Sequence, residues 1–179
     1  MPLWGITTSD ESKPKYLTTE EKTRTYADAT GWKIDKTVGS RVQTELLVAV
    51  SGGNNLATAL AAADITAVYF KDASYDQGDT GTVVVVWNER VDVTSGATLS
   101  VTGSVDGAIT ATSGAVTDSN KAEFTFTVPN TTQDLSIGAQ TISGTIVDDG
   151  TSTVSDKAFV TGDRIGATGT GTYADISVA

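Results

Sequence analysis

Gly81–Val91 reads GTVVVVWNERV, and the fold turns on how this stretch is read. Val83, Val84, Val85, Val86 and Trp87 follow one another without a break. The run is far too short to cross a membrane as a helix. β-Branched and aromatic residues in a run of this length favour a strand. Asp79 and Gly81 mark a turn before it, and Asn88, Glu89 and Arg90 close it. Apolar residues lie on both faces, so both faces should be covered. The stretch is therefore expected to be the central strand of a β-sandwich.

The flanking sequence supplies the neighbours. Ile65–Lys71 alternates Val68 and Phe70 against Tyr69, and Asp72–Asp79 is a turn cluster. Thr98–Thr102, Ile109–Val116, Glu123–Val128, Thr141–Val147 and Thr153–Val160 read as further strands. Phe124, Phe126 and Val128 share one face, as do Ile142 and Ile146. Asp148-Asp149-Gly150 is a hairpin turn signal. This gives about seven strands in roughly a hundred residues, the size of an immunoglobulin-like sandwich. No repeat at a fixed period interrupts it. The expected fold class is all-β. Residues 64–162 form the sandwich, residues 163–179 a tail whose stretch Tyr173–Val178 adds an edge strand or crosses to a neighbour, and residues 1–63 a separate N-terminal region.

That N-terminal region has a different character. Residues 1–25 are polar with isolated apolar anchors, Leu3, Trp4, Tyr16 and Leu17, and Pro2 and Pro14 oppose helix around them. Such an arm cannot build a core alone and is expected to dock on its own domain or on a neighbouring subunit. Thr18 or Thr19 can cap one helical turn over Thr18–Arg24. Gly31 and Gly39 bracket a short strand carrying Trp32 and Ile34. Arg41–Val50 reads as its hairpin partner, with Val42, Leu46 and Val48 on one face. Ser51–Asn55 breaks the chain, and Leu56–Ala63 is a helix-forming octet too short to stand alone.

Composition narrows the chemistry. The 179 residues contain no Cys and no His. A disulfide framework, a Cys/His zinc site, a Ser-His-Asp triad and a Cys-His pair are thereby excluded. The formal net charge is −10. Met1–Glu45 carries seven acidic and seven basic residues, and the remainder carries fifteen and five. The acidic sandwich should repel nucleic acid, and the neutral N-terminal region is the expected contact surface. Neither a Sec-type signal nor a membrane-spanning run is present in the sequence, which points to synthesis in a cytoplasm.

Candidate sites weigh little. Asp72, Asp76 and Asp79 lie close together in a loop, but their spacing does not match an EF-hand and fits Asx-type turns better. Asp148 and Asp149 read the same way. Glu89, at a strand end, is the acid best placed for glycoside chemistry, yet nothing supplies a cleft, and the chain is read as non-enzymatic with no cofactor. SGGNN and TGTGT lack the Lys and helix of a phosphate loop. Trp87 is expected in the core, Trp32 in a core or interface, and Trp4 at an interface. An exposed aromatic would permit a carbohydrate- or host-surface-binding module as an alternative.

Two resemblances accompany this reading. Residues Ile65–Phe159 resemble a bacterial Ig-like module through Tyr75, the Gly78-Asp79 turn, the strand ending Trp87-Asn88-Glu89-Arg90-Val91, and Ser95-Gly96-Ala97-Thr98-Leu99. Such modules serve many functions, so this implies fold alone. Residues 1–50 resemble the N-terminal region of virion structural proteins of tailed phages, notably marine and T4-like ones. The carrying residues are Pro2-Leu3-Trp4-Gly5, Lys13-Pro14-Lys15-Tyr16-Leu17, Gly31-Trp32, Arg41-Val42 and Glu45-Leu46-Leu47-Val48-Ala49. This implies a structural component without catalytic residues, located in the virion and assembled in the host cytoplasm. The expected role is a capsid decoration or head-stabilising protein, homo-oligomeric, partnered by the major capsid protein or other virion proteins, with a neck, tail or fibre component as the alternative. The expected interface residues are Leu3, Trp4, Tyr16, Leu17 and Trp32.

Overall fold

The computed structural model describes residues 17–18, 20–21, 24–28, 31–38, 41–49, 62–149, 153–160 and 175–179, and the fold they form is all-β. The N-terminal region contributes β1 (Thr25–Asp28), β2 (Gly31–Val38) and β3 (Arg41–Ala49). β4 (Ile65–Phe70), β5 (Ser74–Tyr75) and β6 (Thr80–Val93) follow, then β7 (Thr98–Gly103), β8 (Gly107–Ser113) and β9 (Val116–Thr127). The last part holds β10 (Gln133–Ser136), β11 (Gln140–Thr141), β12 (Ile146–Asp148), β13 (Ala158–Phe159) and β14 (Asp175–Val178). One hydrogen-bonded path runs β3-β2-β1-β6-β9-β8-β7-β10-β14-β5, with β4 and β12 also paired to β6. β11 and β13 form a small second sheet. The curled sheets enclose a sandwich core, as the sequence leads one to expect.

β6 is the hub. It pairs antiparallel with β4, β9 and β12 and parallel with β1 through Ala27 and Glu89. Val83, Val85, Trp87, Val91 and Val93 enter the main core beside Phe124, Phe126, Leu135, Ile142, Ile146 and Phe159. Val84 and Val86 point the other way and are buried with Ala67, with Tyr69 packed against them. Burying each valine contributes about 1.5–3 kcal/mol, so cover on both faces gives this strand its central position. Lys121, the register partner of Val86, lies 3.7 Å from Asp35 of β2. The chain's own N-terminal hairpin therefore reaches over this second face.

The structure corrects several boundaries. β6 does not close at Asn88–Arg90 but continues to Val93, because Val91 and Val93 are core residues. The strand bulges between Val86 and Val91 against Lys121 and Ser119 of β9, and β1 meets it at Glu89. Gly81 lies inside the strand opposite Phe126 rather than in a turn. Thr141–Val147 is not one strand. Gly144 adopts φ +106°, and the chain passes so close to Ala97 that a Cβ would sit 2.9 Å from its Cα. β11 and β12 on either side of it pair with different partners, β13 and β6. Along Thr153–Val160 only Ala158–Phe159 is strand, and Val154 is exposed. The tail does return to the sheet: β14 fits between β10 and β5. Most of the octet Leu56–Ala63 lies outside the described residues.

Candidate interaction surface

The N-terminal hairpin is built from its first described residues. Leu17 is buried at 8% exposure. The backbone N–H and hydroxyl of Thr18 donate to Glu21 Oε2 at 2.8 and 2.9 Å, and the Glu21 N–H donates back to Thr18 Oγ1 at 3.2 Å. This is a capping box, and the donated Thr18 N–H holds the Glu21 carboxyl below its ordinary range. The segment then passes into β1, whose line the Asp35 N–H to Arg24 carbonyl bond extends at 3.2 Å. β1 pairs with β2 from Thr25–Ile34 to Asp28–Gly31.

β2 and β3 pair from Val38–Arg41 to Gly31–Ala49, with a slip at Trp32/Lys33. Lys33 faces Leu46 while Trp32 faces Val48, so Leu47 is the extra residue of a bulge. The expectation that Val42, Leu46 and Val48 share a face therefore fails at Val48. The bulge turns Val48 to the Trp32 side, where Leu47 and Val48 pack on Trp32. Val42 and Leu46 remain together on the opposite face at 66% and 48% exposure. Thr44 lies between them and donates its hydroxyl to Asp35 Oδ1 at 2.9 Å. On the other face Lys36 Nζ meets Glu45 Oε2 at 2.5 Å, a hydrogen bond that raises the Lys36 pKa.

The sequence-derived interface residues separate here. Trp32 is fully buried and Leu17 nearly so, so neither offers a partner any surface. Leu3, Trp4 and Tyr16 lie outside the described residues. Trp87 is fully buried, with its Nε1–H donating to the Asp156 carbonyl at 2.9 Å, so neither Trp32 nor Trp87 can serve as a stacking platform for a sugar. Glu89 is buried at 2% exposure, enclosed where β1 meets β6. The exposed pair Val42 and Leu46 was legible as the alternation of β3. Its exposure was not, because the bulge that sends Val48 the other way has no marker in the sequence.

The acidic residues settle into structural work. Asp79 Oδ2 accepts the Asp76 N–H at 3.3 Å, and its own N–H donates to the Asp76 carbonyl at 3.2 Å. Asp76–Asp79 is therefore a β-turn with Gly78 at φ +83° in its third position, closed by the Asp79 side chain and not by an Asx turn. At the far end of β6, Arg90 places its guanidinium 5.9 Å from the Tyr26 ring centre and 2.5 Å from Asp118 Oδ1. Asp118 holds φ +52°, an Asp-tolerated left-handed bend, and its N–H donates to Asp92 Oδ1 at 2.9 Å. Asp149 joins this group, and desolvation, followed by the charge of and hydrogen bond to Asp118, raises its carboxyl pKa. Among the described residues no group of His, Cys, Asp or Glu is arranged to hold a metal ion. An open cleft of about 590 Å³ lies by β7, β10 and β14, lined by small polar residues such as Thr102, Ser104, Asp134 and Ser136.

Fold and surface together define an all-β sandwich whose N-terminal hairpin exposes Val42 and Leu46 on a strand with one partner among the described residues. Compared with protein families, with curated proteins and with solved structures, the chain matches none.

Proposed function

We propose that this chain is a virion structural protein of a tailed phage, of the capsid decoration or head-stabilising kind. Its N-terminal region binds the shell, and its Ig-like sandwich stands outward. The observation that carries this reading is an asymmetry. Met1–Glu45 is charge-balanced, and the hairpin it builds exposes Val42 and Leu46 on one face of β3, on either side of Thr44. Leu46–Ala179, most of it the sandwich, carries the whole net charge of −10, and the large exposed apolar residues there, Val105, Val154 and Val160, are isolated from one another in sequence. A surface of this kind resists non-specific association, whereas exposed apolar residues sharing one strand face mark a contact. The resemblance of residues 1–50 to phage virion proteins agrees with it. Affinity then comes from shallow contacts repeated across a lattice.

Deletion of residues 1–16 tests the reading. The cut stops short of Leu17, whose burial and neighbouring capping box make it part of the fold. The truncated chain is expected to keep its thermal midpoint and to lose occupancy on particles. Full occupancy by the truncated chain would refute the arm as the attachment device. Copy number in purified particles separates the shell from the alternative neck, tail or fibre position: hundreds of copies mean shell, a dozen or fewer mean neck or tail.

A further inference from the structure

β3 is a long strand with one edge that no described residue pairs. Among the described residues it pairs with β2 alone. It spans Arg41–Ala49. Its bulge at Leu47 and the charges of Arg41 and Glu45 give it some protection, but between Val42 and Leu46 the edge runs unbroken, holds no proline or lysine, and leaves both apolar side chains exposed. Other strands also have one partner among the described residues, such as the two-residue β5 on β14 and the largely buried β4 on β6; elsewhere the sheet is filled in. The Gln140 side chain takes both backbone groups of Ser100 at 2.6 Å, and β14 fills the space between β10 and β5.

The phase of the β2–β3 ladder says which groups are bare. Val38 and Arg41 are register partners separated by only two residues, so this closing pair exchanges both hydrogen bonds. Bonded pairs then alternate along the ladder through Lys36–Gln43 and Ile34–Glu45. The backbone N–H and C=O groups of Val42, Thr44 and Leu46 therefore point away from β2. These are the same residues that carry the exposed apolar face.

We infer that the β3 edge pairs antiparallel with β3 of a second copy of this chain, about a two-fold axis at Thr44. The segment Val42-Gln43-Thr44-Glu45-Leu46 is complementary to itself in this register. Val42 of each copy lies opposite Leu46 of the other, and Thr44 lies opposite its counterpart. On the other face Gln43 lies opposite Glu45, so each carboxylate meets an amide and not its own kind. A register centred one residue later sets Glu45 against Glu45, which like-charge repulsion disfavours. A register centred on Gln43 sets Val42 against Thr44 and forms no apolar pair, a loss that its Arg41–Glu45 pairing, an exposed ion pair of small worth, does not offset. The Thr44 register satisfies about six bare backbone groups on each copy and joins two sheets into one. A single strand pair buries less than a standard interface of about 1,200–2,000 Å². The dimer is thus weak in free solution and is expected to form in the sub-millimolar range. The inference does not rest on the virion reading.

Sedimentation equilibrium of the full chain over a concentration series tests it. The wild type is expected to show a monomer–dimer equilibrium. Thr44→Pro removes a central donor without touching the β2 ladder, and the double change Val42→Lys with Leu46→Lys places four like charges across the seam. Each is expected to weaken association at least tenfold with the far-UV circular dichroism of the wild type. Proline also removes the Thr44–Asp35 hydrogen bond and Leu46→Lys faces Lys33, so a small drop in thermal midpoint accompanies both. The lysine pair, at exposed positions, keeps the test valid if proline disturbs folding. Because the chain has no cysteine, Thr44→Cys introduces a unique thiol. It should couple to its counterpart through a short bis-maleimide faster than Gln43→Cys does. A wild type that stays monomeric at about 1 mM overturns the inference, as does association that survives the lysine pair, association lost only on deleting residues 1–16, or faster coupling from Gln43→Cys.

Discussion

At the scale of single residues, two positions carry sharp consequences. Gly144 combines φ +106° with a close approach to Ala97, so an alanine there meets both backbone strain and a clash with main-chain atoms that cannot move aside. Gly144→Ala is expected to cost about 2 kcal/mol or more, read as a lower urea midpoint at unchanged slope. Asp149 is the second position. Desolvation and the neighbouring Asp118 raise its carboxyl pKa in the folded state. A raised carboxyl pKa means that the folded state holds its proton more tightly than the unfolded chain does. Its contribution to stability is therefore present below the unfolded value and is lost as pH rises through the folded one. Asp149→Asn, which cannot ionise, is expected to raise the thermal midpoint at pH 7 by on the order of 1 °C. The gain should vanish near pH 3, which differential scanning calorimetry at the two pH values measures.

At the scale of elements, β6 and β3 are opposites. β6 has partners along both edges and cover on both faces. It also holds the segment after the Asp148–Asp149 turn through Trp87, whose indole N–H donates to the Asp156 carbonyl. Trp87→Phe keeps most of the buried ring and loses that bond. The expected cost is about 1–2 kcal/mol, and hydrogen-exchange protection should fall first at Ile142 and Ser155, whose N–H groups bond the Lys157 and Ile146 carbonyls. β3 has one partner among the described residues and one edge that none of them pairs. Part of the difference is local, since β6 carries an unbroken apolar run and β3 alternates polar with apolar residues, but which edge finds a partner follows from position in the topology.

At the scale of the whole molecule, the hairpin is not an appendage. β1 continues the sheet onto β6, and Asp35 reaches Lys121 across the second apolar face. The described residues from Leu17 onward thus belong to the folded body, which places the dispensable cut before Leu17. The sandwich carries the acidic charge and the N-terminal region the exposed apolar pair. The truncation lacking residues 1–16 should keep the far-UV circular dichroism and thermal midpoint of the full chain while losing particle attachment. A drop of many degrees would mean that the arm is part of the core instead.

The sequence by itself determined the all-β class, the central strand, most of its neighbours, the Thr18 cap and the N-terminal hairpin. These follow from local causes: β-branched runs, period-two alternation, turn residues and a capping side chain. Tertiary structure alone decided the rest. The continuation of β6 to Val93 depends on Val91 and Val93 finding the core. The break at Gly144 depends on the closeness of Ala97. β10 and the pairing of β14 depend on strands far away in the chain. The candidate surface was half legible. Val42 and Leu46 were readable as one apolar face and Trp32 as either core or interface; the burial of Leu17, and the choice of core for Trp32, were not. An isolated aromatic in a polar segment reads the same whether its cover comes from its own chain or from a neighbour, and only the folded arrangement supplies that cover. The edge of β3 stays bare for the same reason: pairing is a property of the sheet, and no residue of the strand records it.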